Sequence, residues 1–178
     1  EEAVEGYTTT INGYNVTNTH EIEKIEISGT KTWDDNNDQD GKRPESIKIN
    51  LLANGKEVKE AIVTADTNWT YTFADLDKFE SGKEIEYTIT EEAVEGYTTT
   101  INGYDITNTH EVEKIEISGE KTWEDKNNQD GIRPSSITVN LLANDKVVKT
   151  VEVTEKDNWE YTFTNLDKYA ETGKPYEY

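Results

Sequence analysis

The chain repeats itself every 90 residues, and that period restricts what it can fold into more than any other feature. Residues 21–31 read EIEKIEISGTK and residues 111–121 read EVEKIEISGEK. The offset (121 minus 31, or 90) persists through INLLANG/VNLLAND and NWTYTF/NWEYTF. A period of this size is one small domain used again, so the chain reads as an array and not as one large core. The segment EEAVEGYTTTINGYNVTNTH at 1–20 returns as EEAVEGYTTTINGYDITNTH at 91–110. Residues 1–20 therefore match the closing strands of a split domain, 21–110 a complete domain, and 111–178 the body of a domain without its last strands.

The units are all β. Short runs in which β-branched and aromatic residues alternate with polar ones are separated by Asn, Asp, Gly and Pro, and no stretch carries a helical period. Strands are expected near 24–33, 47–53, 57–64, 68–74, 84–91, 96–101 and 104–110, a number that suits a two-sheet sandwich. Asn-Gly at 54–55 and 102–103 predicts two tight hairpins with positive φ at both turn positions. The link His110-Glu111-Val112-Glu113 has no Gly, Ser or Pro to loosen it, so successive domains are expected to stand end to end.

Charge removes whole classes of function. With 38 acidic and 18 basic residues the net charge is −20, which repels nucleic-acid phosphates and anionic lipid headgroups. No apolar run approaches the ~18 residues a membrane helix needs, and the absence of cysteine excludes disulfides and thiolate metal sites. No cofactor, nucleic-acid partner or membrane insertion is expected, and any reinforcement of so small a β domain has to come from elsewhere.

Three polar residues fall on apolar faces. In Ile25, Ile27, Gly29, Lys31, Trp33 a period of two places all five side chains together, so Lys31 points into the core. The same alternation carries Glu91 inward with Ile85, Tyr87 and Ile89, and Asn108 inward with Tyr104 and Ile106. An unpaired buried lysine costs several kcal/mol, on the order of a small domain's whole stability, so the three are expected to meet. Burial favours the neutral forms of an amine and a carboxyl group. A neutral Lys31 can attack the Asn108 side-chain carbonyl, with Glu91 polarising that carbonyl and carrying protons to the departing ammonia. Alternation equally allows a plain reading, in which Lys31 snorkels past the strand end, Glu91 pairs with it ionically and Asn108 caps a loop.

At these residues the chain resembles the B-type repeat of Gram-positive collagen adhesins, the Cna B-type domain also found in pilins. The resemblance covers the whole chain and is carried by GTKTWDDNNDQDGKRP at 29–44, INLLANG at 49–55, YTITEEAVEGY at 87–97 and ITNTH at 106–110. It implies an immunoglobulin-like sandwich and an autocatalytic isopeptide bond from Lys31 to Asn108, assisted by Glu91. The same roles transfer to Lys121 in GEKTW, Asn18 in VTNTH and Glu1 in EEAVEGY. Those three are split between the two ends of the chain, and the counterpart of Thr88-Ile89-Thr90 is missing between them. Two readings stay open there: head-to-tail association, the tail of one molecule completing the body of the next by strand complementation, or a permuted or trimmed piece of a longer array.

Other signals have plainer explanations. Asn36, Asp38, Asp40 and Gly41 imitate part of a calcium loop, but Ile47 holds the position of its last ligand and the second copy begins with Lys126, so a polar turn-rich loop is expected. His20 and His110 have no partner at metal spacing and read as linker residues. Trp33, Trp69, Tyr71 and Tyr97 read mainly as core rather than as a sugar or peptide groove. The chain is thus expected to be a stalk segment of a cell-wall-anchored surface adhesin, whose partners are its neighbouring repeats and whose host ligand is bound by another region. It is not expected to be a turnover enzyme. The alternative is a module that touches host matrix directly.

Overall fold

The computed structural model describes all 178 residues, and these divide into two compact units. The first comprises Glu1–Thr32 and Pro44–Asn108, the second Trp33–Arg43 and Thr109–Tyr178. Both are built from strands and short turns, and no helix is long and apolar enough to cross a membrane.

The first unit opens with the hairpin β1 (Thr8–Asn12) and β2 (Asn15–Thr19). There follow β3 (Lys24–Asp34), β4 (Ser46–Ala53), β5 (Lys56–Thr64), β6 (Thr70–Asp77), the two-residue β7 (Phe79–Glu80) and β8 (Lys83–Glu84), β9 (Tyr87–Glu91), β10 (Thr98–Asn102) and β11 (Asp105–Thr109). One sheet has the order β10-β11-β3-β6 and the other β5-β4-β9, the two layers of an immunoglobulin-like sandwich. Their facing residues make the core: Ile27, Phe73 and Ile106 from the first sheet, Ile49, Leu51, Val63 and Ile89 from the second. Burying each of these side chains contributes about 1.5–3 kcal/mol. Burial along β3 alternates without a break from Lys24 to Asp34, as the period of two requires.

Gly29 is where the β3 backbone is approached most closely. A Cβ there would fall on the carbonyl oxygen of Tyr104 and lie 2.5 Å from the Tyr71 hydroxyl. Glycine at this position lets Tyr71 reach across and donate to the Tyr104 carbonyl.

Two local expectations change. Asn54-Gly55 forms the anticipated turn with φ of 51° and 81°, but at 102–103 only Gly103 has positive φ. Asn102 stays in β10, and the two-residue loop is Gly103-Tyr104, the arrangement in which glycine takes the first turn position. The strand expected from 68 starts at Thr70, because a 3-10 turn at Ala65–Thr67 ends in Asn68 and Trp69, both in left-handed conformation at 51° and 56°. The run expected at 84–91 is also interrupted. Glu86 and Asn54 exchange hydrogen bonds at 2.8 and 3.0 Å, which holds residues 85–86 outside either ladder.

The second unit contains β12 (Lys114–Glu120) paired with β15 (Glu160–Asp167), β13 (Ser136–Ala143) paired with β14 (Lys146–Thr154), and the short pair β16 (Tyr169–Glu171) and β17 (Lys174–Pro175). Leu141, Phe163 and Leu166 form its buried centre, flanked by half-buried Ile115, Ile117, Val139, Val151, Tyr161 and Tyr178. Residues 33–43 belong here by contact and not with residues 21–32, so this folding unit is offset from the sequence repeat. Polar contacts explain it. Asp40 Oδ2 accepts from the Glu113 backbone N–H at 2.7 Å and lies 2.9 Å from His110 Nε2. Gln39 donates to the Tyr169 carbonyl at 2.8 Å and accepts from the Gly173 N–H at 2.9 Å. His110 is thus a mostly buried hydrogen-bonding side chain rather than a passive linker residue.

Candidate functional site

The three sheet positions singled out by alternation come together in the first unit. Lys31 on β3 and Asn108 on β11 are 4% and 0% exposed, on strands that neighbour one another in the same sheet. Glu91 enters from the end of β9 in the facing sheet, where it is opposite Ile49 of β4. The side chains of both Lys31 and Glu91 are wholly buried.

Glu91 bridges the other two. Its Oε1 lies 3.8 Å from Lys31 Nζ and accepts a hydrogen bond from Asn108 Nδ2 at 3.2 Å. Its Oε2 accepts from the Thr99 hydroxyl at 2.7 Å. Lys31 Nζ also donates to the Thr32 carbonyl at 2.9 Å. Asn108 Oδ1 is buried with no hydrogen-bond partner, an arrangement that costs about 1–3 kcal/mol. The carboxyl group therefore sits beside the amide nitrogen, not beside the carbonyl oxygen it was expected to polarise. Thr99, which fixes the second carboxyl oxygen, is a contact that alternation did not reveal. Only its place on β10, next to β11, brings it within reach.

Chemically, the cluster puts an amine, a carboxyl group and a primary amide in one water-poor space, with the carboxyl in contact with both others. That is the inventory of an amide-exchange centre: a nucleophile, a proton carrier and an acyl group bearing a leaving nitrogen. Desolvation strengthens each electrostatic contact inside it.

The second trio is in a different state. Asn18 on β2 donates from Nδ2 to Glu1 Oε1 at 2.9 Å and accepts from the Thr9 hydroxyl at 2.7 Å, all in the exposed hairpin of the first unit. Lys121 belongs to the second unit, where Nζ donates to the Thr122 carbonyl at 2.6 Å and lies 4.4 Å from the centre of the Trp123 ring. The loop that imitates a calcium site is organised by its own side chains. Asp35 accepts from the Asp38 N–H and from the Arg43 guanidinium, and Asn36, Asn37 and Asp38 all have positive φ.

Comparison with known proteins agrees with this architecture. The model of the Cna protein B-type domain matches residues 27–109 and 117–178. A collagen adhesin of Staphylococcus aureus is 51% identical over 168 residues, 93% of this chain and 14% of that protein. The crystal structure of two B repeat units of the collagen binding protein of the same organism superposes with a TM-score of 0.80 at 45% identity, covering 99% of this chain and 49% of that one. A single B repeat unit of that surface protein gives 0.50 at 48% identity, covering 86% and 82%. The chain spans about half of the two-unit structure and a small fraction of the full adhesin. It belongs to the Cna protein B-type domain family.

Proposed function

We propose that this chain is a stalk segment of a cell-wall-anchored surface adhesin, closed by an autocatalytic isopeptide bond between Lys31 and Asn108. The observation that carries this reading is the wholly buried contact of Glu91 with both Lys31 and Asn108. The neutral Lys31 amine attacks Asn108 Cγ, a C–N bond forms to Nζ, and the bond from Cγ to Nδ2 breaks. Glu91 takes a proton from Nζ and delivers one to the departing nitrogen, which leaves as ammonia. One amine and one primary amide become one secondary amide and one ammonia, and the event happens once per domain.

The location of the bond suits a mechanical task. It ties β3, the first strand of the complete repeat, to β11, its last. Tension entering at one end and leaving at the other then passes through the crosslink and bypasses the rest of the sandwich. The partners of such a segment are neighbouring repeats, and the collagen binding named for its relatives falls to another part of the parent protein. Intact mass under denaturing conditions tests the chemistry. The wild type should be short of one ammonia, and Lys31→Ala and Glu91→Ala should show their full masses. A wild type at full mass would reduce the trio to an ion pair.

A further inference from the structure

The complete repeat at 21–110 contains two Asn-Gly pairs, both at turns, and the fold uses their asparagines in opposite ways. Asn54 is a staple. Its backbone N–H donates to the Glu86 carbonyl at 2.8 Å, its Oδ1 accepts from the Glu86 N–H at 3.0 Å, and its Nδ2 donates to Glu80 Oε2 at 3.3 Å. Asn144 repeats the backbone and Oδ1 contacts with Glu177. Asn102 is not held in this way. It is exposed at the end of β10, and its side chain makes no hydrogen bond. It flanks the Gly103-Tyr104 loop, where a Cβ on Gly103 would meet nothing within 4 Å. Solvent therefore reaches the peptide link from Asn102 to Gly103, and nothing crowds it.

From this we infer that Asn102 is a site of spontaneous covalent modification, with water as the co-reactant, and that Asn54 is protected from the same reaction. The Gly103 nitrogen gives its proton to solvent and attacks Asn102 Cγ. The nucleophile is one residue away and carries no side chain on its own Cα, so the step is intramolecular and unhindered. A bond forms from that nitrogen to Cγ, the bond from Cγ to Nδ2 breaks, and Nδ2 takes a proton from solvent and leaves as ammonia. Water then opens the cyclic imide. Opening at Cγ leaves aspartate, and opening at the main-chain carbonyl carbon leaves isoaspartate, with an added methylene in the backbone. One primary amide and one water become one carboxylic acid and one ammonia. Either product sets a carboxylate across the loop from Asp105, whose Oδ1 already accepts from the Thr30 N–H and hydroxyl. Isoaspartate also lengthens a hairpin whose two-residue loop fixes its register. β10 is the outer strand of its sheet and pairs only with β11, so it is the element released. Thr99, the donor to Glu91 Oε2, goes with it. The reaction does not use the Lys31 to Asn108 bond proposed above and stands whether or not that bond forms.

Storage of the 178-residue chain at mildly alkaline pH, followed by peptide mapping that separates asparagine, aspartate and isoaspartate, tests this. Conversion at Asn102 should run about tenfold or more faster than at Asn54, where two side-chain hydrogen bonds must break first. In urea the two sites should convert at equal rates. Equal rates in the folded chain, or an Asn102 that converts only in urea, would overturn the assignment. Mapping by peptide also keeps this ammonia apart from any lost between Lys31 and Asn108. Amide hydrogen exchange on the stored chain reads the structural consequence. The Thr98–Asn102 amides should exchange faster once Asn102 has converted, with those of β3 and β11 unchanged. Asn102→Gln closes the larger ring far more slowly and should keep its starting exchange through the same storage. Unchanged exchange at Thr98–Asn102 in converted chains, or an equal rise in Asn102→Gln, would overturn the release of β10.

Discussion

If the proposed crosslink forms, replacing Asn108 by alanine should cost the first unit most of its stability, and the size of the loss follows from the loop that bond would close. The proposed bond from Lys31 to Asn108 would enclose 77 positions (108 minus 31). A covalent tie across a loop of that length removes denatured-state entropy worth about 4.5 kcal/mol near room temperature. In the crosslinked parent Nδ2 has left as ammonia and Lys31 Nζ is an amide nitrogen, so neither the Nδ2 hydrogen bond nor the ion pair of the uncrosslinked trio enters the difference. A loss of about 4.5 kcal/mol corresponds to a fall in Tm of roughly 20–35 °C for a domain of this size. Differential scanning calorimetry of wild type and variant, with intact mass on the same samples, reads both bond and stability. The transition of the second unit provides an internal control, since it should stay where it is. A fall of less than about 5 °C in a variant whose parent is short of one ammonia would refute the loop-entropy account. The crosslink would then act on mechanical or kinetic stability without stabilising the folded state at equilibrium.

Further outcomes follow from other contacts. Thr99→Val removes the hydroxyl donor to Glu91 Oε2, and loss of ammonia during refolding should slow several-fold yet still finish; an unchanged rate would free Thr99 of any positioning role. Gly29→Ala pushes a methyl group into the Tyr104 carbonyl and should destabilise the first unit by about 3 kcal/mol or more, seen as a lower urea midpoint. The Glu113 carboxyl is held at about 2, first by its hydrogen bond to Lys168 and then by Lys42. A depressed carboxyl pKa contributes stability above its ordinary value of 4.5, lost as pH falls toward 2. The second unit should thus lose Tm across that window, and Glu113→Gln should flatten the loss. Burial pushes the Tyr71 hydroxyl up to about 12. Its contribution is complete below pH 10 and is lost as pH rises toward 12, so Tyr71→Phe should lose less stability over that window, and ultraviolet titration of the folded protein should show the missing phenol only near 12.

The sandwich was legible because alternation survives intact in the strands that form it. β3 alternates from Lys24 to Asp34 and β11 buries Ile106 and Asn108 while exposing Asp105 and Thr109. Lys31 and Asn108 on those faces, with Glu91 on β9, were polar residues at inward positions, and the structure brings the three side chains together. Alternation identifies a face but not a neighbour, which is why Thr99 and the position of Glu91 at the amide nitrogen had to come from coordinates. Irregular segments carry no period at all. The left-handed Trp69, the Gly103-Tyr104 turn and the allegiance of residues 33–43 each depend on particular hydrogen bonds made with distant residues. His110 looked like a spacer because its partner, Asp40, lies 70 residues away.

The offset between folding unit and repeat bears on how arrays of this kind change length. The joint at Asp40 draws one half from the loop of a repeat and the other from the linker and body that follow it. Gln129, Asp130 and Gly131 repeat the loop half, and His20 and Glu23 repeat the linker half. Every 90-residue module thus brings a plug on one side and a socket on the other. A recombination event that adds or deletes a whole module would restore a complete joint wherever the crossover falls, so arrays of such repeats can be lengthened or shortened without redesigning this contact. A deletion of a fraction of a module would separate plug from socket.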